Sequence, residues 1–270
     1  SKDFKLVSIV SNQNIDWNNE ATIISKAKSP VRISFAGGGT DLTNYFIKEE
    51  GVVLNTTINM FAHAILKKRN DKKVIIDSND FKVRLEFNNI NEIEYDKQLD
   101  LIKAVIKLLN PAFGFELSTY SDVPAGSGLG GSAGILSAIV GAFNNFRINK
   151  LNSHDIAELA FQAERIELNL SGGWQDQYAT VFGGFNFMEF KQEENIINPL
   201  RIDKDILNEL EDSLILCYSG INHNSGDIHD NQKENMNKEN QKQFSQIAKD
   251  IAYEKTLNDW LNKIKDKDKT

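Results

Sequence analysis

The sequence has little of what small secreted, metal-bound or fibrous proteins are built on. Its 270 residues include one cysteine, four prolines, four histidines and three tryptophans. One cysteine, Cys217, excludes an internal disulfide, and a reducing, cytoplasmic setting is expected. His63, His154, His223 and His229 show no H-x-x-H or Cys/His spacing, which argues against a zinc site. No apolar run approaches the roughly 20 residues of a membrane-spanning helix. Basic residues are outnumbered, 31 Lys and Arg against 38 Asp and Glu, so broad binding to nucleic acid or anionic membrane is not expected. What is present, 40% hydrophobic and 26% charged residues, is the composition of a folded chain with a sizeable core in one large or two ordinary domains.

Glycine is sparse outside three places. Of 17 glycines, only Gly51, Gly114, Gly141, Gly220 and Gly226 stand alone. The others form Gly37, Gly38 and Gly39; then Gly126, Gly128, Gly130, Gly131 and Gly134; then Gly172, Gly173, Gly183 and Gly184. Glycine loses much conformational entropy on folding, a cost offset where backbone must take positive φ or come close to a ligand. Three clusters predict three loops closing on one site.

Hydrophobic periodicity supplies the frame. Val31-Arg32-Ile33-Ser34-Phe35 alternates with period two and runs into Gly37, a strand followed by a turn. β-rich runs at 52–58, 62–67, 74–76 and 81–87 predict an antiparallel or mixed sheet. Residues 99–109 form an amphipathic helix stopped by Asn110-Pro111. A strand at 115–120, helices at 132–146, 153–168 and 176–181, and a strand at 185–190 follow, an α+β pattern. Residues 1–25 are expected to be an extension, with a first domain over 26–194. The polar, charged turn of composition near Lys191 marks a boundary, with a second domain over 195–270. There, 213–218 reads as a strand, and 231–265 as helical, with Phe244, Ile247, Ile251, Leu257, Leu261 and Ile264 on one side.

The central cluster carries the clearest chemistry. Pro124, Ala125, Gly126, Ser127, Gly128, Leu129, Gly130, Gly131 and Ser132 follow a strand and open a helix. Free N–H groups of a first helical turn and the helix dipole favour an anion there, and small residues let phosphate oxygens approach. Gly126, Gly128 and Gly131 also satisfy the G-x-G-x-x-G dinucleotide pattern, but a second helix follows where that pattern needs a strand. A Walker loop is disfavoured because Gly131 stands where its Lys belongs. A purely structural turn is the remaining alternative.

The stretch Pro124 to Ala133 fits P-x3-G-L-x-[SG]-S-A and resembles the phosphate-binding motif of the GHMP kinases, named for galactose, homoserine, mevalonate and phosphomevalonate kinases. The resemblance implies a two-domain fold: a ribosomal-protein-like N-domain with a mixed or antiparallel sheet and helices, then a ferredoxin-like C-domain. It implies ATP and Mg²⁺ as cofactors, the loop wrapping the ATP phosphates and Ser132 serving as a magnesium ligand. Pro30 to Asp41 resembles the family's sugar-binding motif, with Gly37, Gly38, Gly39, Thr40, Asp41 and also Gly173 facing the sugar. Arg32 would stand beside the transferred phosphate, where its fixed charge steadies the transition state. Glu164 lies on an apolar helical stripe, where a carboxylate needs a partner, and the resemblance makes it the second magnesium ligand. Asp176 matches the family's catalytic aspartate, which accepts or orients the proton of the attacking hydroxyl. Each has a plainer alternative: an exposed turn for Arg32 and Asp41, a stripe-edge carboxylate for Glu164, an N-cap for Asp176. Trp174 either stacks on the sugar or packs.

The triple glycine followed by Thr40-Asp41 is similar to the heptose and fucose kinase branch. It implies transfer of the γ-phosphoryl of ATP to the anomeric hydroxyl of D-glycero-D-manno-heptose 7-phosphate, giving the 1,7-bisphosphate used for lipopolysaccharide or capsule. Fucokinase or another sugar-1-kinase is the alternative, and a non-catalytic sensor is the reading from another class. Lys26, Lys28 and Arg165 are candidates for the substrate's own phosphate. Expected partners are a sugar phosphate and ATP, not nucleic acid or membrane; a homo-oligomer stays open. The family's third Gly-rich motif does not follow Gly226, so the C-domain is expected to be incomplete and turnover weakened.

Overall fold

The computed structural model describes residues 5–13 and 22–218. In chain order, the elements are β1 (Val7–Gln13), β2 (Thr22–Ala36), the short α1 (Thr43–Phe46), β3 (Gly51–Lys68), β4 (Val74–Ser78), β5 (Val83–Phe87), α2 (Asp100–Leu109), β6 (Phe115–Ser121), α3 (Gly131–Asn144), α4 (Ser153–Phe161), α5 (Gln175–Phe182), β7 (Phe185–Phe190), β8 (Asn195–Pro199) and α6 (Lys204–Ser213). Among the described residues one eight-stranded mixed sheet runs in the order β1-β2-β3-β6-β4-β5, with β7 joined to β3 and β8 to β7, and only β4 and β6 run parallel. β3 is long enough to serve two neighbours: Gly51 to Thr56 pairs with β7, and Ala62 to Lys68 pairs with β6.

Helices α2 to α5 cover one face and form the main core. In α2, Ile102, Val105 and Ile106 are buried, each contributing about 1.5–3 kcal/mol relative to exposure. α3 is buried nearly throughout, and Gly134 lets it settle on β3: a Cβ there would lie 3.1 Å from the Cβ of Ala62. On the opposite face, Val52, Leu54, Phe185 and Phe187 pack against Leu207 and Leu210 of α6.

A register shift between Pro30 and Arg32 bears directly on function. Pro30 faces Phe61 while Arg32 faces Thr57, so β3 bulges there. The backbone N–H of Arg32 leaves the ladder and donates to the carbonyl of Leu129 at 2.9 Å, tying β2 to the glycine-rich loop before α3.

Four expectations change. Where it is described, at 5–13 and 22–25, the expected extension is part of the sheet: β1 is antiparallel to β2, and the 25/26 boundary falls inside β2, whose Ile24 and Ser25 already pair with β3. The 194/195 boundary cuts the β7–β8 hairpin, because the charged residues at 191–194 are its solvent-facing tip, closed by the Lys191 N–H to the Glu194 carbonyl at 3.1 Å. The helix expected over 153–168 ends at Phe161 and continues as a π-helical turn, Gln162–Glu167. Residues 214–218 form no strand and pair with no strand among the described residues. The helical stripe at 231–265 and most of the expected C-domain lie outside the described residues. Among the described residues, no helix is long and apolar enough to cross a membrane.

Candidate active site

The phosphate loop is held open by backbone geometry. Gly126, Gly128 and Gly130 take φ of +75°, +76° and +74°, a left-handed region that side chains resist. Gly130 caps α3 without a side-chain hydrogen bond, and the first intrahelical bond is Gly134 N–H to the Gly130 carbonyl. The N–H groups of residues 131–133 are therefore left for an anion at the positive end of a 14-residue helix. A Cβ on Gly128 would meet nothing within 4 Å.

Beneath this loop the structure brings Arg32 and Asp176 together across 144 residues of sequence. Arg32 Nε and Nη2 reach the Asp176 Oδ1 at 2.8 and 2.6 Å, and Nη1 donates to the Gly128 carbonyl at 2.7 Å. Both Arg32 contacts converge on Oδ1, so Asp176 Oδ2 remains for a proton. The loop lies directly over the pair: a Cβ on Gly130 would be 3.4 Å from the Asp176 carboxyl carbon and 3.5 Å from Arg32 Cγ. Asp176 occupies the first turn of α5, where the helix dipole favours its charge.

In the turn at 37–41, Thr40 is buried, its hydroxyl 2.8 Å from the carbonyls of Gly37 and Val52 and accepting the Val52 N–H at 3.0 Å. Asp41 is 1% exposed and accepts the N–H groups of Gly39 and Gln175, both at 3.0 Å. Thr40 thus ties the turn to β3, and Asp41 ties it to the start of α5. Gly173 is part of the same fastening, since a Cβ there would lie 1.9 Å from Asp41 Oδ2. Burial pushes the Asp41 carboxyl above its usual range; the Gln175 N–H pulls it back, and the charge of Asp176 adds to the rise. Gly37, at φ +83°, is required by the turn, because its Cβ would fall 1.9 Å from the Val52 carbonyl oxygen.

Glu164 is buried in the π-helical turn, a feature that recurs at functional sites. Its Oε2 accepts from Gln177 Nε2 at 2.7 Å and lies 3.4 Å from Arg165 Nη2. Desolvation raises its carboxyl, Arg165 opposes the rise, and the Asp176 charge adds to it. Ser132 is exposed in the first turn of α3, and no hydrogen bond joins it to Glu164 among the described residues. One carboxylate with an uncommitted Oε1 and one free hydroxyl fit Mg²⁺, which takes one or two protein oxygens and completes its octahedron with phosphate and water. Among the described residues no group of three or more acidic, His or Cys side chains could hold a metal alone.

Three further residues complete the site. Trp174 packs: its ring stacks on Phe161 with centroids 3.5 Å apart, and Nε1 donates to Thr43 Oγ1 at 2.9 Å. Arg165 is committed internally, donating to the Ser171 carbonyl at 2.6 Å, with Gly172 leaving room for its guanidinium. Lys28 Nζ lies 4.1 Å over the Phe61 ring. Gln175 and Gln177 were not singled out by sequence, although both flank Asp176; each buries a side-chain carbonyl without a partner.

Residues 100–184 match the family described as GHMP kinases N terminal domain. The chain is 41% identical over 214 residues to the D-glycero-alpha-D-manno-heptose 7-phosphate kinase of Campylobacter jejuni, covering 77% of this chain and 63% of that one. It is 28% identical over 224 residues to the L-fucokinase/L-fucose-1-P guanylyltransferase of Bacteroides fragilis, 72% of this chain and 24% of that one. Its fold superposes on a D-glycero-D-manno-heptose 1-phosphate kinase from Bacteroides thetaiotaomicron with a TM-score of 0.66 and 38% identity, over 70% of this chain and 63% of that one. A mevalonate kinase of Methanococcus jannaschii, 21% identical with a TM-score of 0.51 over 66% of this chain and 56% of that one, shares the fold. The chain thus spans about three fifths of the length of the heptose kinases it matches.

Proposed function

We propose, from the match of residues 100–184 to the GHMP kinase N-terminal domain and the 41% identity to a heptose 7-phosphate kinase, that this chain is an ATP-dependent sugar kinase acting on D-glycero-D-manno-heptose 7-phosphate. The anomeric oxygen attacks the γ-phosphorus, the bond from phosphorus to the bridging oxygen breaks, and the products are ADP and the 1,7-bisphosphate. The observation that carries this reading is the bridge made by Arg32, which holds the phosphate-loop carbonyl of Gly128 and the Asp176 carboxylate at once. That arrangement sets a fixed positive charge between the incoming phosphoryl group and the group that handles the hydroxyl proton.

Phosphoryl transfer asks mainly for positioning and charge stabilisation. The open N–H groups at the start of α3 bind the phosphates. Asp176 Oδ2 orients the sugar hydroxyl and takes its proton, and Arg32 offsets negative charge on the transferred group. Magnesium, with Glu164 and Ser132 as its protein ligands, would supply neutralisation of the phosphate charge. The domain is proposed to run through β8 and α6, whose Leu207 and Leu210 pack on its sheet, with a second domain after them. A cytoplasmic setting, and a role in nucleotide-activated heptose for lipopolysaccharide or capsule, belong to the same proposal.

The test is ADP release from Mg-ATP with heptose 7-phosphate, L-fucose and galactose as acceptors. Heptose 7-phosphate is expected to give the highest kcat/KM, and Asp176→Asn to lower kcat by about 10³-fold while ATP still binds. A higher kcat/KM on L-fucose would move the assignment to a fucokinase. Sugar binding without turnover would replace catalysis with sensing. Undiminished turnover by the Asp176→Asn variant would remove Asp176 from the mechanism.

A further inference from the structure

Of the three consecutive glycines, two are explained by the chain itself and one is not. Gly37 has φ +83° and would collide with the Val52 carbonyl, and Gly39 has φ +93°. Gly38 has neither constraint. It is exposed, its φ is outside the left-handed region, and a Cβ on it would meet only Gln175 Nε2 at 3.7 Å and Ser34 Oγ at 3.9 Å, ordinary contact distances. An alanine would fit the protein, so the backbone does not require glycine there. What a methyl would occupy is the space above two polar side chains.

One of those side chains is out of balance. Gln175 is 7% exposed, its backbone N–H is bound to Asp41, and its side-chain carbonyl is buried without any partner. A buried amide oxygen with no donor costs about 1–3 kcal/mol, so the protein carries a penalty that a ligand hydroxyl would relieve. Gln175 Nε2 and the Ser34 hydroxyl border the space over Gly38, and a half-turn of the amide, which exchanges its two ends, would bring the carbonyl to that space instead. The amide can accept from one hydroxyl and donate to another. That chemistry suits a neutral polyol and does not favour an anion.

We propose that Gln175, with Ser34, is the specificity-determining pair that reads a hydroxyl of the bound sugar, and that Gly38 is glycine to admit that hydroxyl. This rests on the sugar-kinase reading and adds to it the residue that selects among sugars. Asp41 does not make the selection; its carboxylate is consumed in fastening the Gln175 backbone, which fixes where the amide points. A site built around a hydrogen bond rejects a sugar lacking the matching hydroxyl far more strongly than an apolar pocket would.

The experiment uses the full chain, Gln175→Met and Gly38→Ala. Heptose 7-phosphate, L-fucose and galactose are titrated by calorimetry, ATP is titrated separately, and Tm is recorded for each protein. For Gln175→Met, the expected result is a rise in sugar Kd of about tenfold or more, a smaller spread of Kd across the three sugars, an unchanged ATP Kd and a Tm no lower than the parent's. A residue that only braced the fold would lower Tm and leave the ranking of sugars intact. Gly38→Ala is expected to keep its Tm and also lose sugar affinity. Unchanged sugar Kd values and ranking in both folded variants overturn the proposal, as does a parent chain that binds none of the three. If the parent binds a sugar that Gln175 discriminates but transfers no phosphate, the inference stands and the kinase reading falls. If it transfers phosphate and Gln175→Met ranks the sugars as before, the reverse holds.

Discussion

In the loop at 124–130, three glycines in the left-handed region hold backbone N–H groups away from the protein, and a Cβ on Gly128 would touch nothing within 4 Å. In the turn at 37–41 and its neighbour Gly173, absent Cβ atoms are replaced by the protein itself: the Val52 carbonyl presses on Gly37 and the Asp41 carboxylate on Gly173. The same residue type thus keeps one surface empty and fills another. The empty surface is where a phosphate can be received; the filled one holds α5 at the angle that presents Asp176. Clustered glycine in a sequence locates a site, while the contacts of each Cα decide whether the glycine serves a ligand or the fold.

The sharpest way to break this contrast is to add one methyl on each side. Gly173→Ala places a Cβ 1.9 Å from Asp41 Oδ2, where both partners are backbone-anchored and neither can yield. A loss of about 3 kcal/mol or more is expected, read from urea unfolding, together with loss of turnover as α5 shifts. Gly128→Ala has no clash and carries only the left-handed backbone penalty, about 1–2 kcal/mol. Its Tm is expected to move little, while the KM for ATP rises about tenfold because a methyl and a stiffer loop intrude where phosphate binds. Equal destabilisation by the two substitutions would dissolve the distinction between the loops.

Much of the frame was legible. The 31–35 alternation is the C-terminal part of β2, the amphipathic run at 99–109 is α2 to within one residue, and the segment after β6 opens α3 at Gly131. Local periodicity determines these because one buried face suffices to define them. Tertiary partners were not legible. Nothing near Asp41 in the sequence shows that its carboxylate would be spent on the N–H of Gln175, 134 positions away. The charged 191–194 segment has the composition of a linker, and only pairing of β7 with β8 makes it a hairpin tip. Arg165, read as a ligand candidate from its charge, is consumed by Ser171 and Glu164. Gln175 and Gln177 do carry a signal in the sequence: two amides flanking Asp176, the proposed catalytic residue, at the start of a helix that buries them.

The smallest expected effect concerns what the filled side of the site costs. Asp41 and Glu164 are both buried carboxylates whose folded-state pKa lies above the ordinary 3.8 and 4.5, desolvation being the leading cause in each. A carboxyl that binds its proton more tightly when folded stabilises the fold fully only below its unfolded pKa. That contribution is lost as pH rises through the folded value, so both groups make the protein less stable at neutral pH than at mildly acid pH. Glu164→Gln removes one of the two charges while keeping an amide oxygen for Gln177. In metal-free buffer its Tm is expected to exceed the parent's by a few degrees at pH 7, the difference shrinking toward pH 4, with kinase turnover lost. The opposing force is Arg165, whose guanidinium keeps the Ser171 carbonyl but loses its charge partner. A Tm below the parent's at pH 7 would mean that the ion pair outweighs desolvation, and that Glu164 serves the fold as Asp41 and Gly173 do rather than standing at its expense.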